Sequence, residues 1–248
     1  MPPRTSFEPF ADIWDAMTGE GERATASIAD TVIFKLLGSV RGKTIYEPAC
    51  GNGYLARALQ KKGAKEVWAS DISPALIAKA QERGGDITYL VRDAASIKDM
   101  PRNHFDVVVI SAGIFYIKNL DLFLKNMHAL LKPGGCLIFQ ATHPLFSMAY
   151  CDMGTSNKTV SELIAYYRPY AKDRFERIEK TWGVDGIRQK VRYWMYKRPI
   201  STYINACVAN GFSIHTMIEP RSAAKKNGKL KKSTIPSIYI IKVVKTAQ

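Results

Sequence analysis

Apolar residues between positions 44 and 141 follow two alternating spacings. Short continuous apolar runs predict strands at 44–48, 66–70, 87–91, 105–111 and 136–141. Between them, apolar residues that recur every three or four positions predict helices at 54–62, 74–83 and 120–131. This alternation predicts an α/β fold, a doubly wound parallel sheet with helices on both faces.

The flanking regions differ from this central pattern. Residues 7–37 have helical apolar spacing, interrupted at 19–23, and predict a helical cover over the cleft. After the fifth strand, residues 142–199 are too long for a plain connection, so we predict a substrate-covering insertion. A helix at 200–210 and strands at 212–218 and 236–244 complete the sheet. We therefore expect one domain, with a cover (1–43), a core (44–143), an insertion (144–199) and C-terminal elements (200–248).

The segment from Thr44 to Arg57, TIYEPACGNGYLAR, combines a strand, a tight turn and a helix. Gly51, Gly53 and Ala56 fit the G-x-G-x-x-G/A turn, in which the backbone approaches a nucleotide at a helix start. Asp71 ends the next strand 20 residues after Gly51, where a ribose-binding carboxylate is expected. The two features together predict an adenosine-type cofactor.

Glu47, at the end of the first strand, distinguishes between cofactors. A carboxylate beside this turn would repel the pyrophosphate of a dinucleotide, which argues against an NAD(P)-dependent oxidoreductase. S-adenosylmethionine (SAM) carries an ammonium and a sulfonium and no phosphate, so the same carboxylate would attract it. The alternative is that Glu47 only caps the turn.

Small or polar residues follow four consecutive strands, namely Glu47, Asp71, Asp93 and Ser111. The carboxyl ends of parallel strands meet at one sheet edge, where ligands of such folds bind. Asp93 followed by Ala94 suits an adenine amino group, although Asp93 could equally form an N-cap or Asx turn. Trp14, in the cover, is placed either over a ligand or in the core.

Composition excludes several classes of protein. The 248 residues are 46% hydrophobic, enough for a full core, yet no apolar run reaches the ~20 residues of a membrane span. Because the N-terminus also lacks a signal-peptide core, we expect a cytoplasmic protein without membrane partners. The four cysteines form no C-x-x-C pair and have no clustered histidines, so we predict neither a metal site nor disulfides.

The net charge of +14 is unevenly distributed. Residues 147–248 hold 19 basic and 7 acidic side chains, and residues 221–232 hold six basic and no acidic ones. The sequence at 221–232 predicts an irregular, mobile loop. A basic surface of this kind attracts nucleic acid or acidic small molecules, or is simply solvated.

The ordered motifs of residues 44–143 resemble those of class I SAM-dependent methyltransferases. The motifs are EPACGNGY, ASDIS, VRDAAS, FDVVVISAG and LLKPGG. The resemblance implies methyl transfer from SAM with S-adenosylhomocysteine (SAH) as product, and a Rossmann-like, seven-stranded, mostly parallel sheet whose last strand is antiparallel.

The resemblance also implies roles for individual residues. Gly51 and Gly53 would let the methionyl part approach the backbone, and Glu47 would face its ammonium. Asp71 would hold the ribose, Asp93 and Ala94 the adenine, and Ser111 would lie beside the methionyl group. The full set of expected cofactor-binding residues is Glu47, Ala49, Gly51, Gly53, Asp71, Ile72, Asp93, Ala94, Ser111 and Trp14. Position 47 is Glu where many relatives have Asp. The longer side chain of Glu47 should still reach the ammonium.

The acceptor is less well defined by the sequence. His143 and Tyr116, just past strands five and four, are candidate general bases, with a scaffold role as the alternative for His143. Strand four is followed by SAGIFY rather than the Asn/Asp-Pro-Pro-aromatic sequence of nucleobase amino-methylating relatives. We therefore expect a small-molecule acceptor, whose acidity would explain the basic second half. The alternative is a tRNA or rRNA methyltransferase, or an RNA-binding module, that uses the basic and aromatic segment 166–198.

Overall fold

The computed structural model describes residues 7–21, 24–143, 173–220, 223–226, 229–232 and 236–246. The strands are β1 (Thr44–Pro48), β2 (Glu66–Asp71), β3 (Thr88–Val91), β4 (Phe105–Ile110), β5 (Leu131–Thr142), β6 (Arg174–Val184), β7 (Ile187–Lys197), β8 (Phe212–Ile218), β9 (Ala223–Lys226), β10 (Lys229–Lys232) and β11 (Ile238–Lys245). The helices are α1 (Ala11–Thr18), α2 (Ala24–Leu37), α3 (Tyr54–Lys61), α4 (Pro74–Glu82), α5 (Leu120–Leu130) and α6 (Ile200–Ala209). Within these ranges, no helix is long and apolar enough to cross a membrane.

Seven strands form the central sheet in the order β3-β2-β1-β4-β5-β11-β8. Strands β1 to β5 pair in parallel, whereas β11 pairs antiparallel with both β5 and β8. This confirms the predicted seven-stranded, mostly parallel sheet with its last strand antiparallel. The strand order reverses between β1 and β4, and a cleft opens there at the carboxyl ends of the strands.

The central strands are buried on both faces, as continuous apolar runs predict. Successive residues point to opposite faces, so Ile45 packs in one cluster with α2 and α3, and Tyr46 packs in another with α5 and α6. Two helices begin at side-chain caps: Ser73 Oγ accepts from Leu76 N at 3.2 Å, and Asn119 Oδ1 accepts from Leu122 N at 2.9 Å. The core therefore holds the strand ends rigidly around the cleft.

The predicted insertion contains regular structure that the sequence analysis missed. Strands β6 and β7 form an antiparallel hairpin with Val184 opposite Ile187. Asp185 and Gly186, at the turn, have φ of 49° and 83°. Asp-Gly with two positive φ angles is the favoured type I′ hairpin turn, so the signal is present in the sequence. Residues 144–172 lie outside the described part of the chain.

The prediction of an irregular loop at 221–232 is wrong for most of its backbone. Residues Ala223–Lys226 pair antiparallel with Lys229–Lys232 as the short strands β9 and β10. A two-stranded ladder needs backbone hydrogen bonds more than apolar side chains, so the low hydrophobicity of the segment did not reveal it.

Candidate functional site

A cavity of about 650 Å³ lies at the carboxyl ends of the central strands. Its size falls within the ~300–1,000 Å³ range of small-molecule sites. Of the predicted cofactor-binding residues, those that line it are Trp14, Glu47, Ala49, Gly51, Asp71, Ile72, Asp93, Ala94 and Ser111. The structure thus brings together all of that set except Gly53.

The turn after β1 is held in left-handed backbone conformations. Ala49, Gly51 and Gly53 have φ of 56°, 57° and 73°. A Cβ at Gly51 would lie 3.0 Å from Trp14 Nε1, so the cover helix approaches the bare backbone. A Cβ at Gly53 would lie 2.6 Å from the Tyr89 hydroxyl oxygen, away from the cavity wall. Gly53 therefore allows the start of α3 to pack against β3.

Asp71 links the ends of β1 and β2. Its Oδ2 accepts a hydrogen bond from Gly51 N at 2.9 Å, and its Oδ1 accepts one from Ser73 N at 3.0 Å. Burial raises the pKa of Asp71, while these backbone donors act in the opposite direction. Each carboxylate oxygen has a further lone pair, so Asp71 can accept hydrogen bonds from the hydroxyl groups of a ligand in the cavity.

Glu47 is a buried carboxyl group with an unsatisfied oxygen. Its side chain is 2% exposed and accepts a hydrogen bond from Ala56 N, while Oε2 has no hydrogen-bond partner among the described residues. Burial, reinforced by the nearby Asp30, raises the pKa of Glu47 well above its usual range. An orphaned buried oxygen on the cavity wall is a place where a cationic donor gains a strong hydrogen bond.

A second acid, Asp30 of α2, lies behind this wall and was missed by sequence reasoning. Its Oδ1 accepts a hydrogen bond from the Tyr54 hydroxyl at 3.2 Å, and Tyr54 itself lines the cavity. Burial raises the pKa of Asp30 to about 6. Nothing in the helical spacing of α2 marks this aspartate, since a single acid on a helix is usually solvated.

The remaining polar wall combines predicted and unpredicted residues. Asp93 Oδ1 accepts from Ala95 N at 2.9 Å, so Asp93 forms the alternative Asx turn and still lines the cavity. Ser111 Oγ donates to Oε1 of Gln140 at 3.2 Å. Gln140 is buried on β5 and also lines the cavity. In the sequence, Gln140 is the polar residue in the apolar run 136–141, and this signal could have identified it as a candidate site residue.

The two candidate bases occupy different environments. His143 is buried, its Nε2 lies 2.9 Å from Glu219 Oε1, and it is absent from the described cavity wall. This geometry matches the scaffold alternative for His143. Tyr116 does line the cavity, and burial raises its pKa well above the usual range. Its hydroxyl therefore stays protonated at neutral pH and can donate a hydrogen bond.

The N-terminal cover is joined to the glycine turn by polar contacts. The buried Asn52 donates to Asp15 Oδ1 at 2.8 Å and to the Gly19 carbonyl at 2.9 Å. Arg57 of α3, also buried, pairs with Glu20 at 2.7 Å. The cover and the turn thus form one connected unit around the ligand space.

Part of the cavity wall is aromatic and basic. Five rings from the N-terminal segment, the turn after β4 and the β6–β7 hairpin line it: Phe7, Trp14, Tyr116, Trp182 and Tyr193. Neighbouring ring centroids lie 5.0–5.8 Å apart. Lys118 and Lys180 also line the cavity. Among the described residues, no cluster of three or more His, Cys, Asp or Glu side chains could hold a metal ion.

The strand order and the arrangement of acids at the strand ends are those of the class I SAM-dependent methyltransferase fold. Residues 46–139 match the family model described as a methyltransferase domain. The match covers β1 through most of β5, which is the part of the sheet that carries the glycine turn and the strand-end acids. The chain therefore has the class I methyltransferase fold, and the central part of its sheet matches the methyltransferase-domain family.

Several known proteins are similar to this chain. An uncharacterized protein of Haemophilus influenzae is 24% identical over 221 residues, which cover 86% of this chain and 84% of the relative. A ubiquinone/menaquinone biosynthesis C-methyltransferase of Hydrogenovibrio crunogenus is 30% identical over 128 residues, 47% of this chain and 50% of that relative. The crystal structure of a SAM-dependent methyltransferase of Mesorhizobium loti shares the fold, with a TM-score of 0.64, 19% identity, and coverage of 92% of this chain and 100% of that one.

Proposed function

We propose that the protein transfers a methyl group from SAM to a small-molecule acceptor bound at the aromatic side of the cavity. The observation that carries this proposal is the orphaned Oε2 of Glu47 on the cavity wall. A buried carboxylate without a partner is costly, and a ligand ammonium would satisfy it. A dinucleotide pyrophosphate at the same turn would increase the cost instead.

The other residues of the wall fit the remaining parts of SAM. Asp71 offers acceptor lone pairs for ribose hydroxyls, and Gly51 leaves the backbone free of a side chain beside them. Asp93 and the small Ala94 border the space suited to an adenine. Ser111 and Gln140 bring polar groups from β4 and β5 to the cavity wall.

When bound, SAM supplies an electrophilic methyl group, which an acceptor lone pair captures while the carbon–sulfur electron pair stays on the sulfur of SAH. The residues of this chain need to align the acceptor and exclude water, since alignment and desolvation supply most of the acceleration. Phe7, Trp14 and Trp182 close the cavity with apolar surface for this purpose. Tyr116, held protonated, orients the acceptor by donation rather than removing its proton.

A small molecule is favoured over RNA by charge pairing on the hairpin. Lys190 and Arg192 lie 2.6 and 3.0 Å from the two carboxylate oxygens of Glu179. Lys197 lies 2.6 Å from Glu176. A nucleic acid binds when basic side chains neutralise its phosphates and release the counterions held there. Cations that are already paired with carboxylates contribute less to such binding.

Calorimetric titration with SAM, SAH and NAD tests the cofactor. We expect SAM and SAH to bind and NAD not to bind. Glu47→Gln should weaken SAM binding by roughly tenfold or more, because a charge-assisted hydrogen bond is lost. Glu82→Gln, at an exposed position on α4, is the matched control and should leave binding unchanged. Absence of SAM binding by the native protein would refute the proposal.

Incubation of the protein with methyl-labelled SAM and cell extract tests the acceptor class. Label recovered with small molecules supports the proposal, and label recovered with RNA supports the alternative. A control with Glu47→Gln shows whether the transfer depends on this site.

A further inference from the structure

The charges that line the cavity come from different segments of the chain. Among the described residues, the acids of the wall are Glu47, Asp71 and Asp93, which follow β1, β2 and β3. The lysines of the wall, Lys118 and Lys180, belong instead to the turn after β4 and to the hairpin. A cation is therefore favoured beside the acids, and an anion is favoured beside the lysines.

Lys180 is positioned against the aromatic wall itself. Its Nζ lies 5.8 Å from the ring centroid of Trp182 and 5.6 Å from that of Tyr193. Lys180 and Trp182 are two residues apart on β6, so both side chains lie on the same face of the hairpin. Ile178, which is directly opposite Tyr193, shares that face. One face of the hairpin thus presents two flat rings and one ammonium group to the cavity.

The rings themselves favour a planar ligand. Trp182 and Tyr193 lie 5.6 Å apart at an interplanar angle of 40°, and Tyr116 meets Tyr193 edge-on at 5.8 Å. These separations match those at which aromatic groups stack or meet edge to face. A further group borders the same space: Tyr196 lines the cavity, and its buried hydroxyl has no hydrogen-bond partner among the described residues.

A cationic acceptor is disfavoured by the same arrangement. Aromatic walls can bind ammonium ligands through the faces of their rings. Here the ammonium of Lys180 lies 5.6–5.8 Å from the centroids of two of those rings, and it would repel a second cation. An anion gains attraction from Lys180 and from the sulfonium of the methyl donor.

We propose that the acceptor is a planar aromatic molecule with an acidic substituent, held by the rings of Trp182 and Tyr193 and by the ammonium of Lys180. This inference rests on the proposed function, and it makes Lys180 the residue that sets acceptor specificity. Lys180 lies outside the region matched by the family model, on a strand that is not part of the central sheet.

Three naphthalene probes test this inference. They carry a carboxylate, a carboxamide or an aminomethyl group at the same ring position. Each is titrated into native protein saturated with SAH, and cyclohexanecarboxylate serves as the non-aromatic anion. We expect the naphthalene carboxylate to bind about tenfold or more tightly than the other three probes. Equal binding of all probes, binding of none, or preference for the amine would overturn the inference.

Variants of the hairpin identify the cation responsible. Lys180→Gln should remove the preference for carboxylate over carboxamide, and Lys180→Arg should retain it. Lys190→Gln, on the outer face where it pairs with Glu179, is the matched control and should behave as native protein. A preference that survives Lys180→Gln would overturn the role of Lys180.

The titration with SAH separates the two proposals. If SAH fails to bind, the proposed function fails with it. If SAH binds and the probes show no preference, only the acceptor inference fails. Thermal unfolding of each variant, followed by circular dichroism, excludes loss of the fold as the cause.

Discussion

The side-chain amide of Asn52 donates a hydrogen bond to Asp15 Oδ1 at 2.8 Å, and it thereby joins the glycine turn to the cover helix α1. The same amide donates to the Gly19 carbonyl at 2.9 Å. Asn52 is fully buried, and its removal would leave Asp15 with Arg83 as its partner and the Gly19 carbonyl without the amide donor. The position of the cover and the shape of the cofactor turn are therefore coupled.

Asn52→Ala should lower the free energy of unfolding by about 1–3 kcal/mol, because two part-buried hydrogen bonds are lost. It should also weaken SAM binding, since the cover is no longer held over the turn. Urea unfolding and calorimetry measure the two effects. Asn210→Ala, which removes hydrogen bonds to Asp121 and Ala206 away from the cavity, should leave SAM affinity unchanged.

Gly51→Ala tests the close approach of Trp14 to the turn. Alanine at φ 57° should cost about 1–2 kcal/mol of stability, and its Cβ would lie 3.0 Å from Trp14 Nε1. Gly42→Ala is a matched control, because φ is +76° there and nothing lies within 4 Å of the added Cβ. Both variants should lose similar stability in urea, and only Gly51→Ala should lose SAM affinity. Equal SAM affinity in the two would contradict the assignment.

SAM binding should release a proton from Glu47. Burial raises the pKa of Glu47 in the free protein, and a ligand ammonium favours the ionised carboxylate. Affinity for SAM should therefore increase as pH rises toward the raised pKa, and proton release should be largest below it. Calorimetry in phosphate and in Tris, which differ in ionisation enthalpy, counts the protons. Glu47→Gln should abolish this contribution.

Asp30 should make stability depend on pH. Because its folded pKa is raised from 3.8 to about 6, folding retains a proton that the unfolded chain has lost. The contribution of Asp30 is fully present below pH 3.8 and is lost as pH rises through about 6. The stability of native protein relative to Asp30→Asn should fall across this window. Urea unfolding at several pH values measures the difference, with the exposed Asp86→Asn as a control that should show no such trend.

His143→Ala should leave the methyl-transfer rate constant unchanged at all pH values once an acceptor is known. His143 does not line the described cavity, and its ring contacts Glu219 and Tyr239. Loss of these contacts should reduce stability instead. A pH-dependent loss of rate at unchanged stability would restore His143 as a general base.

The core of the site was predictable because each of its signals is local. A strand, a glycine turn and an acid at a fixed spacing depend only on residues close in sequence, as Glu47, Gly51 and Asp71 illustrate. Parallel topology then dictates that these strand ends meet. Gly53 shows the limit of the motif, since it was expected to face the cofactor and it packs beside Tyr89 instead.

The aromatic part of the cavity wall and the buried Asp30 could not be predicted, because both depend on contacts between distant segments. Phe7 and Trp182 stack with centroids 5.8 Å apart although 175 positions separate them in the chain. Asp30 acquires its raised pKa only because α2 buries it beside Tyr54. The hairpin is different, since its Asp185-Gly186 turn was visible in the sequence and was overlooked among basic and aromatic residues.

The β6–β7 hairpin is one continuous piece of chain that closes on itself through a two-residue turn and pairs with no strand of the central sheet. Replacing it with a hairpin that carries different side chains would leave the backbone hydrogen bonds of the central sheet and the glycine turn unchanged. Under the proposed function, the hairpin makes acceptor choice a replaceable module. A library confined to residues 174–197 could redirect the chemistry without rebuilding the methyl-donor half.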